Sequence, residues 1–228
     1  MKAYEEYKDI GASLVELILP SHWQPKKCRF VFRFNKGLTI TKENLQETGI
    51  PCVNYGEIHS KFGFEVDPLK HDLKCVDPSY QKNEMASLLK KGDFVFADTS
   101  EDIEGSGNFT SLVSKQEAFA GYHTIIARLM TNDNFRYIAY FFDSLGFRNQ
   151  VRSMVKGVKV YSITNAILKD TFVILPPKQE QIQIAKYLDE KTAKIVKAIE
   201  LQQKEIEKLK EYKASLIDSA VTGKIKVV

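Results

Sequence analysis

The chain has 228 residues, a mass of 26.0 kDa and a formal net charge of +4, with 43% hydrophobic and 27% charged residues. That composition excludes a disordered chain, and no run of about 18 apolar residues is present to cross a bilayer as a helix. The length fits one ordinary domain plus an extra element, or two small domains.

Residues 1–25 read as a lead-in, with Pro20 and Pro25 as breakers, and MKAYEEYKDIGASLVE lacks the basic and apolar regions of a secretory leader. The three cysteines at 28, 52 and 75 form no CxxC and are odd in number, so a disulfide framework is not expected and a cytoplasmic location is. Residues 28–34 alternate, with Cys28, Phe30, Phe32 and Phe34 against Arg29, Val31 and Arg33, which predicts one half-buried strand. Ile50–Tyr55, Asp93–Ala97 and His123–Leu129 predict further short strands, and Gly92-Asp93 marks a turn. Residues 98–109, DTSEDIEGSGNF, are polar and Gly/Ser-rich and predict a loop.

The period then changes. Residues 134–155 predict helix, with Ile138, Phe141, Phe142 and Leu145 on one face and Gly146 as the divider. Val158–Ile163 is β-prone, Thr164 is a candidate N-cap for a helix over 165–169, and Phe172–Leu175 is apolar up to Pro176-Pro177. Strands and helices without regular βαβ alternation predict an α+β domain over 1–177.

From Lys178 the composition turns to Glu, Gln, Lys, Ile, Leu and Ala, with no Pro or Gly until Gly223. Pro177 stands where a first helical residue would and Gly223 where a helix stops, which predicts a continuous helix over 178–222 of about 65–70 Å, with a short tail over 223–228. Ala185, Thr192, Ile199, Ile206, Lys213 and Ala220 take position a of a heptad, and Leu188, Ile195, Gln202, Leu209 and Leu216 take position d. Eight of these eleven are apolar, a coiled-coil seam, and Ile184, Val196, Tyr212 and Ile217 widen its face. The competing reading is a long helix folded back on its own domain.

Chemistry is sparse. His71 and Cys75 have ligand spacing, but no second pair follows. No G-x-S-x-G, P-loop or H-E-x-x-H is present, and Gly105-Ser106-Gly107 does not complete a dinucleotide-binding glycine motif. Leu175-Pro-Pro-Lys178 shares only its prolines with the (N/D)-P-P-(Y/F) motif of amino-methyltransferases. It lacks the polar residue that would hold the target amine and the aromatic that would stack on the base, so catalysis is rejected there. Asp98, Glu101, Asp102 and Glu104 read either as a solvated acidic loop or as part of a base-reading one, since carboxylates accept from cytosine N4. Arg148, Arg152 and Lys156 recur every four residues as a stripe, with Lys159 after it; Lys26, Lys27, Arg29, Arg33 and Lys36 form a second basic cluster. Both read either as solvated surface or as phosphate contacts.

The run Leu175-Pro-Pro-Lys-Gln-Glu-Gln-Ile182, then Ala185, Leu188 and Asp189, then the heptad helix, closely resembles the conserved helix of type I restriction–modification specificity subunits. The ending Ser215 to Ile225, the start at Tyr4–Gly11 and Pro20-Ser-His-Trp23, Lys90-Lys91-Gly92-Asp93, and Gly157 before Ile163 resemble further landmarks of that family. The resemblance covers essentially the whole chain. Such subunits usually carry two recognition domains and two helices; this chain has one of each and no internal repeat, so it looks like a half-subunit.

The resemblance implies a non-catalytic subunit that recognises double-stranded DNA. It implies a homodimer through the helix or a pairing with another half, and docking to a methyltransferase subunit that carries S-adenosylmethionine, with a restriction/translocase subunit able to join. On this reading Thr99, Ser100, Asp102, Ser106, Asn108 and Thr110 face bases. Arg148, Arg152, Lys156, Lys159 and Tyr161 face phosphates and groove edges, and Leu188, Ile195, Ile199, Gln202, Ile206, Leu209 and Leu216 carry dimerisation. No cofactor or metal is expected in this chain. The rival reading is a dimerising remnant that binds the methyltransferase subunit without specific DNA recognition.

Overall fold

The computed structural model describes residues 4, 6–12, 15–157 and 159–227. The chain divides into two compact units, Met1–Gln183 and Ile184–Val228.

In the first unit, β1 (Tyr7–Ala12) and β2 (Val15–Pro20) form an antiparallel hairpin in which Tyr7 pairs with Pro20. β3 (Gln24–Lys27) follows, so the described part of the lead-in predicted for 1–25 is strand-rich instead. Pro25 sits within β3, where the missing N–H is tolerated because the strand belongs to a two-stranded sheet and needs only one partner. The alternation over 28–34 is not one strand either. Cys28–Phe30 form a 3₁₀ turn, and β4 runs only from Phe32 to Lys36. The turn resets the faces: Val31 is fully buried and Phe30 is 68% exposed, opposite to what period two demands.

β5 (Ile50–Val53) ends at Asn54, which caps α1 (Tyr55–Ser60) through a capping box with Glu57. β6 (Phe64–Val66), β7 (Cys75–Val76), α2 (Tyr80–Asn83) and β8 (Leu88–Leu89) lead to β9 (Phe94–Ala97) and β10 (Thr99–Ser100). β11 (Phe109–Leu112), β12 (Ala118–Ala120) and β13 (Thr124–Leu129) complete the sheets. α3 (Phe135–Asp143) and α4 (Leu145–Met154) are divided at Ser144, not at Gly146. Ser144 Oγ accepts from the Phe147 amide and so starts the second helix, which carries Gly146 inside it and turns Leu145 out to 72% exposure. β14 (Tyr161–Ser162) precedes α5 (Asn165–Asp170), capped by Thr164, and β15 (Phe172–Leu175).

The central sheet has the order β4-β13-β9-β11-β6, antiparallel except at β11–β6. A second sheet, β7-β5-β12-β8, is antiparallel except at β12–β5, and β15 pairs with β3. β9 shows why FVFA is apolar throughout: both faces are covered. Phe94 and Phe96 point to an aromatic cluster whose hub is Phe142, at ring-centroid distances of 5.0 and 5.1 Å, with Phe147 at 4.6 Å from that hub. Val95 and Ala97 point the other way, into a core with Val53, Ile58, Leu112, Ala120 and Ile126. The sheet is thus clasped between α3 and α4 on one face and α1 with the second sheet on the other.

α6 (Lys178–Val221) is 44 residues long and starts in this unit. The Pro177 carbonyl accepts from the Glu180 and Gln181 amides, so Pro177 stands one place before the first helical residue. Glu180 takes hydrogen bonds from Trp23 Nε1 at 3.1 Å and His22 Nε2 at 2.7 Å, and Gln181, 1% exposed, bonds Asp133 Oδ1 at 2.7 Å and the Asn134 amide at 2.8 Å. The Glu-Gln pair after the two prolines therefore ties the helix start to the hairpin's exit and to the cap of α3.

The second unit is the rest of α6 with its tail, ended by Gly223 at φ +73°. From Ile195 onward its apolar seam positions are exposed: Ile195, Ile199, Ile206, Leu209 and Leu216 are 45–58% exposed. Among the described residues no helix is long and apolar enough to cross a membrane.

Candidate nucleic-acid interface

β10 leaves the central sheet at Asp98 because the sequence turns polar there, and Thr99–Ser100 pair with Tyr161 and Ser162 of β14 instead. The chain then folds into a tight loop. Asp102 Oδ1 accepts from the Gly105 amide at 2.6 Å, the Asn108 amide donates to the Gly105 carbonyl at 3.0 Å, and Gly107 takes φ +93° against Val151. A Cβ at Gly105 would sit 2.5 Å from Ser100 Oγ and 3.3 Å from the His59 ring, so a larger residue there must displace the Ser100 hydroxyl.

Two clefts flank the β10–β14 ribbon, and Thr99 borders both. One, of about 680 Å³, is lined by Tyr55, His59, Glu101, Asp102, Glu104 and Asn108 among others. The other, of about 530 Å³, is lined by Lys36, Asp98, His123, Ser162 and Asn165 among others. In the second, Asp98 Oδ1 accepts from Thr99 Oγ1 at 2.7 Å and pairs with His123 Nδ1 at 3.2 Å. His123 holds φ +54°, a left-handed backbone that is uncommon for a non-glycine residue. Its ring lies 5.3 Å from Tyr55, which in turn lies 5.7 Å from Tyr122; burial, then Tyr55 and Glu57, push the Tyr122 hydroxyl above its ordinary value.

Of the residues expected to face bases, Thr99, Asp102 and Asn108 line the first cleft, and Asp102 is exposed. Ser100 lines that cleft too, though only 4% exposed, whereas Ser106 and Thr110 are fully buried. Thr110 lies on β11 between β9 and β6, so its side chain belongs to the sheet and not to the loop. Of the residues expected to face phosphate, Lys156 and Lys159 are exposed and Tyr161 is half-buried on the ribbon. Arg148 and Arg152 are half-buried and bonded within the chain. Arg148 donates to Asn108 Oδ1 at 2.5 Å and Asp143 Oδ1 at 2.8 Å, and Arg152 donates to the Glu104 carbonyl. Arg148 and Arg152 lie on α4 and bond to the loop, whereas Lys156 lies past the helix end at Met154 and bridges to Ser162.

In the second basic cluster, Lys27 and Arg29 pair with Asp170, whose carboxyl is held below its ordinary value by the Lys27 hydrogen bond first of all. Lys36 of that cluster lines the second cleft. His71 accepts from the Asp67 amide at 3.2 Å and stacks on Phe62 at 4.8 Å, and among the described residues no group of three or more metal-ligating side chains forms. His59, Tyr55 and His123 were not legible as site residues in the sequence. His59 and Asn108 are 49 residues apart, and only the capping box Asn54…Glu57 hints that a helix carries His59. Val158, within the β-prone run, lies outside the described residues.

Residues 20–211 match the model of the type I restriction modification DNA specificity domain. The chain is 24% identical over 229 aligned positions to the type I restriction enzyme MjaVIII specificity subunit of Methanocaldococcus jannaschii, covering 99% of this chain and 51% of that protein. Among solved structures, it is similar in fold to a chain from a structure described as showing complex assembly and conformational transition of the type I R-M system. That match has a TM-score of 0.66 and 18% identity, over 88% of this chain and 46% of the other. The HsdS subunit of Thermoanaerobacter tengcongensis matches with a TM-score of 0.60 and 16% identity, over 93% of this chain and 47% of that one. The chain therefore spans about half the length of the relatives it matches. With the family model covering most of its residues, the chain belongs to the type I restriction modification DNA specificity domain family.

Proposed function

We propose that this chain is a non-catalytic reader of double-stranded DNA that acts in the cytoplasm. Residues 1–177 recognise a short half-site, and residues 178–222 pair with a second copy. The observation that carries the reading is the loop over 98–108. It is polar, exposed over 101–104, and braced by α4, on a chain whose family is named for DNA specificity. Reading heads need that combination, since bases are discriminated by polar groups held at fixed positions.

On this reading Thr99 and Asp102 meet base edges, with Glu101 and Glu104 beside them in the same cleft, and Asn108 braces the end of the loop. Carboxylates there accept from cytosine N4. Lys36, Lys156 and Lys159 meet phosphates and set register without reading sequence. The open seam of α6 supports pairing with a second copy, because isoleucine and leucine at a and d positions bury their area against a facing helix. A closed pair of identical chains is two-fold symmetric, so the DNA site is two inverted half-sites with a constant gap. The chemistry belongs to a methyltransferase subunit docked on this dimer and carrying S-adenosylmethionine, with a restriction/translocase subunit able to join.

The test is co-expression with a methyltransferase subunit from the same system and mapping of methylated positions by single-molecule sequencing. Two inverted half-sites at a fixed gap are expected. A complex that forms but methylates nothing in a sequence-dependent way overturns recognition in favour of a dimerising remnant. A non-palindromic bipartite site overturns self-pairing in favour of pairing with a different half.

A further inference from the structure

His59 lies on α1, outside every segment expected at the DNA, yet its ring joins both ends of the loop. Nε2 is 2.9 Å from the Thr99 carbonyl oxygen and Nδ1 is 2.9 Å from Asn108 Nδ2. The direction of each bond follows from Arg148. A guanidinium only donates, so the Asn108 atom 2.5 Å from Arg148 Nη1 is the amide oxygen. The Asn108 NH₂ then faces His59 and must donate to it. Nδ1 is therefore an unprotonated acceptor, and a neutral ring carries its hydrogen on Nε2, where it donates to Thr99. The other tautomer, or a protonated ring, sets N–H against N–H at Asn108. The same ring packs under the middle of the loop, where a Cβ on Gly105 would stand 3.3 Å from Cε1.

We propose that His59 is the positioning residue that sets sequence discrimination, locked in the Nε2–H tautomer between Thr99 and Asn108. It touches neither base nor phosphate. It fixes the distance between the loop's first and last residues, so that the exposed side chains between them meet base edges at one spacing. This deepens the DNA-reading proposal and rests on it for its effect on specificity; the tautomer rests on geometry alone.

Two measurements test it. In the full-length chain labelled with ¹⁵N-histidine, NMR at neutral pH is expected to show one ring, absent from His59→Gln, fixed as Nε2–H. An Nδ1–H signature, or averaging between tautomers, overturns the inference whatever the chain does to DNA. In the methyltransferase complex, His59→Ala is expected to lower discrimination between the cognate site and a single-mismatch site by about tenfold, the scale of one hydrogen bond. The salt slope of binding stays unchanged. Asn108→Asp keeps an acceptor for Arg148 and presents an acceptor to His59, so it is expected to keep most of the discrimination while the ring signature changes to one with Nδ1 as a donor. Unchanged discrimination in a folded His59→Ala overturns the positioning role. A wild-type complex with no sequence preference overturns the DNA reading instead, and the ring signature still decides the tautomer.

Discussion

Arg148 Nη1 donates to Asn108 Oδ1 over 2.5 Å, and this bond makes a brace out of two residues that each have the chemistry of a DNA-binding side chain. The arginine is anchored a second time on Asp143, so its charge is paired before any phosphate arrives. Arg148→Ala is therefore expected to cost discrimination and leave the salt slope where it was. Lys156→Gln with Lys159→Gln does the reverse, weakening binding to all sequences and lowering the slope by about 0.9 for each phosphate left without its lysine. Affinity titrations at several salt concentrations separate the two.

The α6 seam gives a prediction about assembly. Replacing Ile199 and Ile206 by Asp puts two carboxylates on the face where a partner helix would bury them, which is costly without partners. Sedimentation is expected to show a monomer, with the fold of residues 1–177 kept as judged by near-UV circular dichroism. A surviving dimer would mean that another surface joins the copies.

Glu180 makes the fold acid-sensitive. Burial alone raises its pKa, but hydrogen bonds from Trp23, His22 and Tyr4 outweigh it, and the net shift is downward. A carboxylate lowered in the folded state contributes stability that is present above its unfolded value and lost as pH falls through the folded one. Asp170, lowered by Lys27 and Arg29, has the same sign. Stability is expected to drop as pH falls below the ordinary carboxylate range, and Glu180→Gln is expected to flatten that limb. Urea midpoints measured from pH 6 down to about pH 3 check this.

The three cysteines are free and buried. Burial pushes the Cys28 thiol up to about 12, and Cys52 and Cys75 also above their ordinary values. A thiol held protonated and out of solvent is a poor nucleophile. Ellman's reagent is expected to find almost no reactive thiol in the native chain and all three after unfolding.

The fold was legible wherever one local rule decided the outcome. Thr164 capped its helix and FVFA formed a doubly covered strand, because cap chemistry and hydrophobic runs are local. The failures came where a longer-range partner overrode the pattern. Cys28 is drawn into a 3₁₀ turn whose backbone bonds Thr171, and this cancelled the apparent strand over 28–34. Ser144 outcompeted Gly146 as the helix divider because its hydroxyl satisfies a free amide. In the candidate site the loop was visible as composition, but not which of its residues turn inward. Nor could spacing show that Arg148 and Arg152 would spend their donors on the loop, or that a histidine 49 residues away would join its ends.

Whether this chain reads DNA sequence is decided by selection from a random duplex library with the purified chain. Enrichment of two inverted half-sites at one constant gap is the predicted result. Retention of duplexes with no enriched sequence, at an affinity that simply falls with salt, would contradict it.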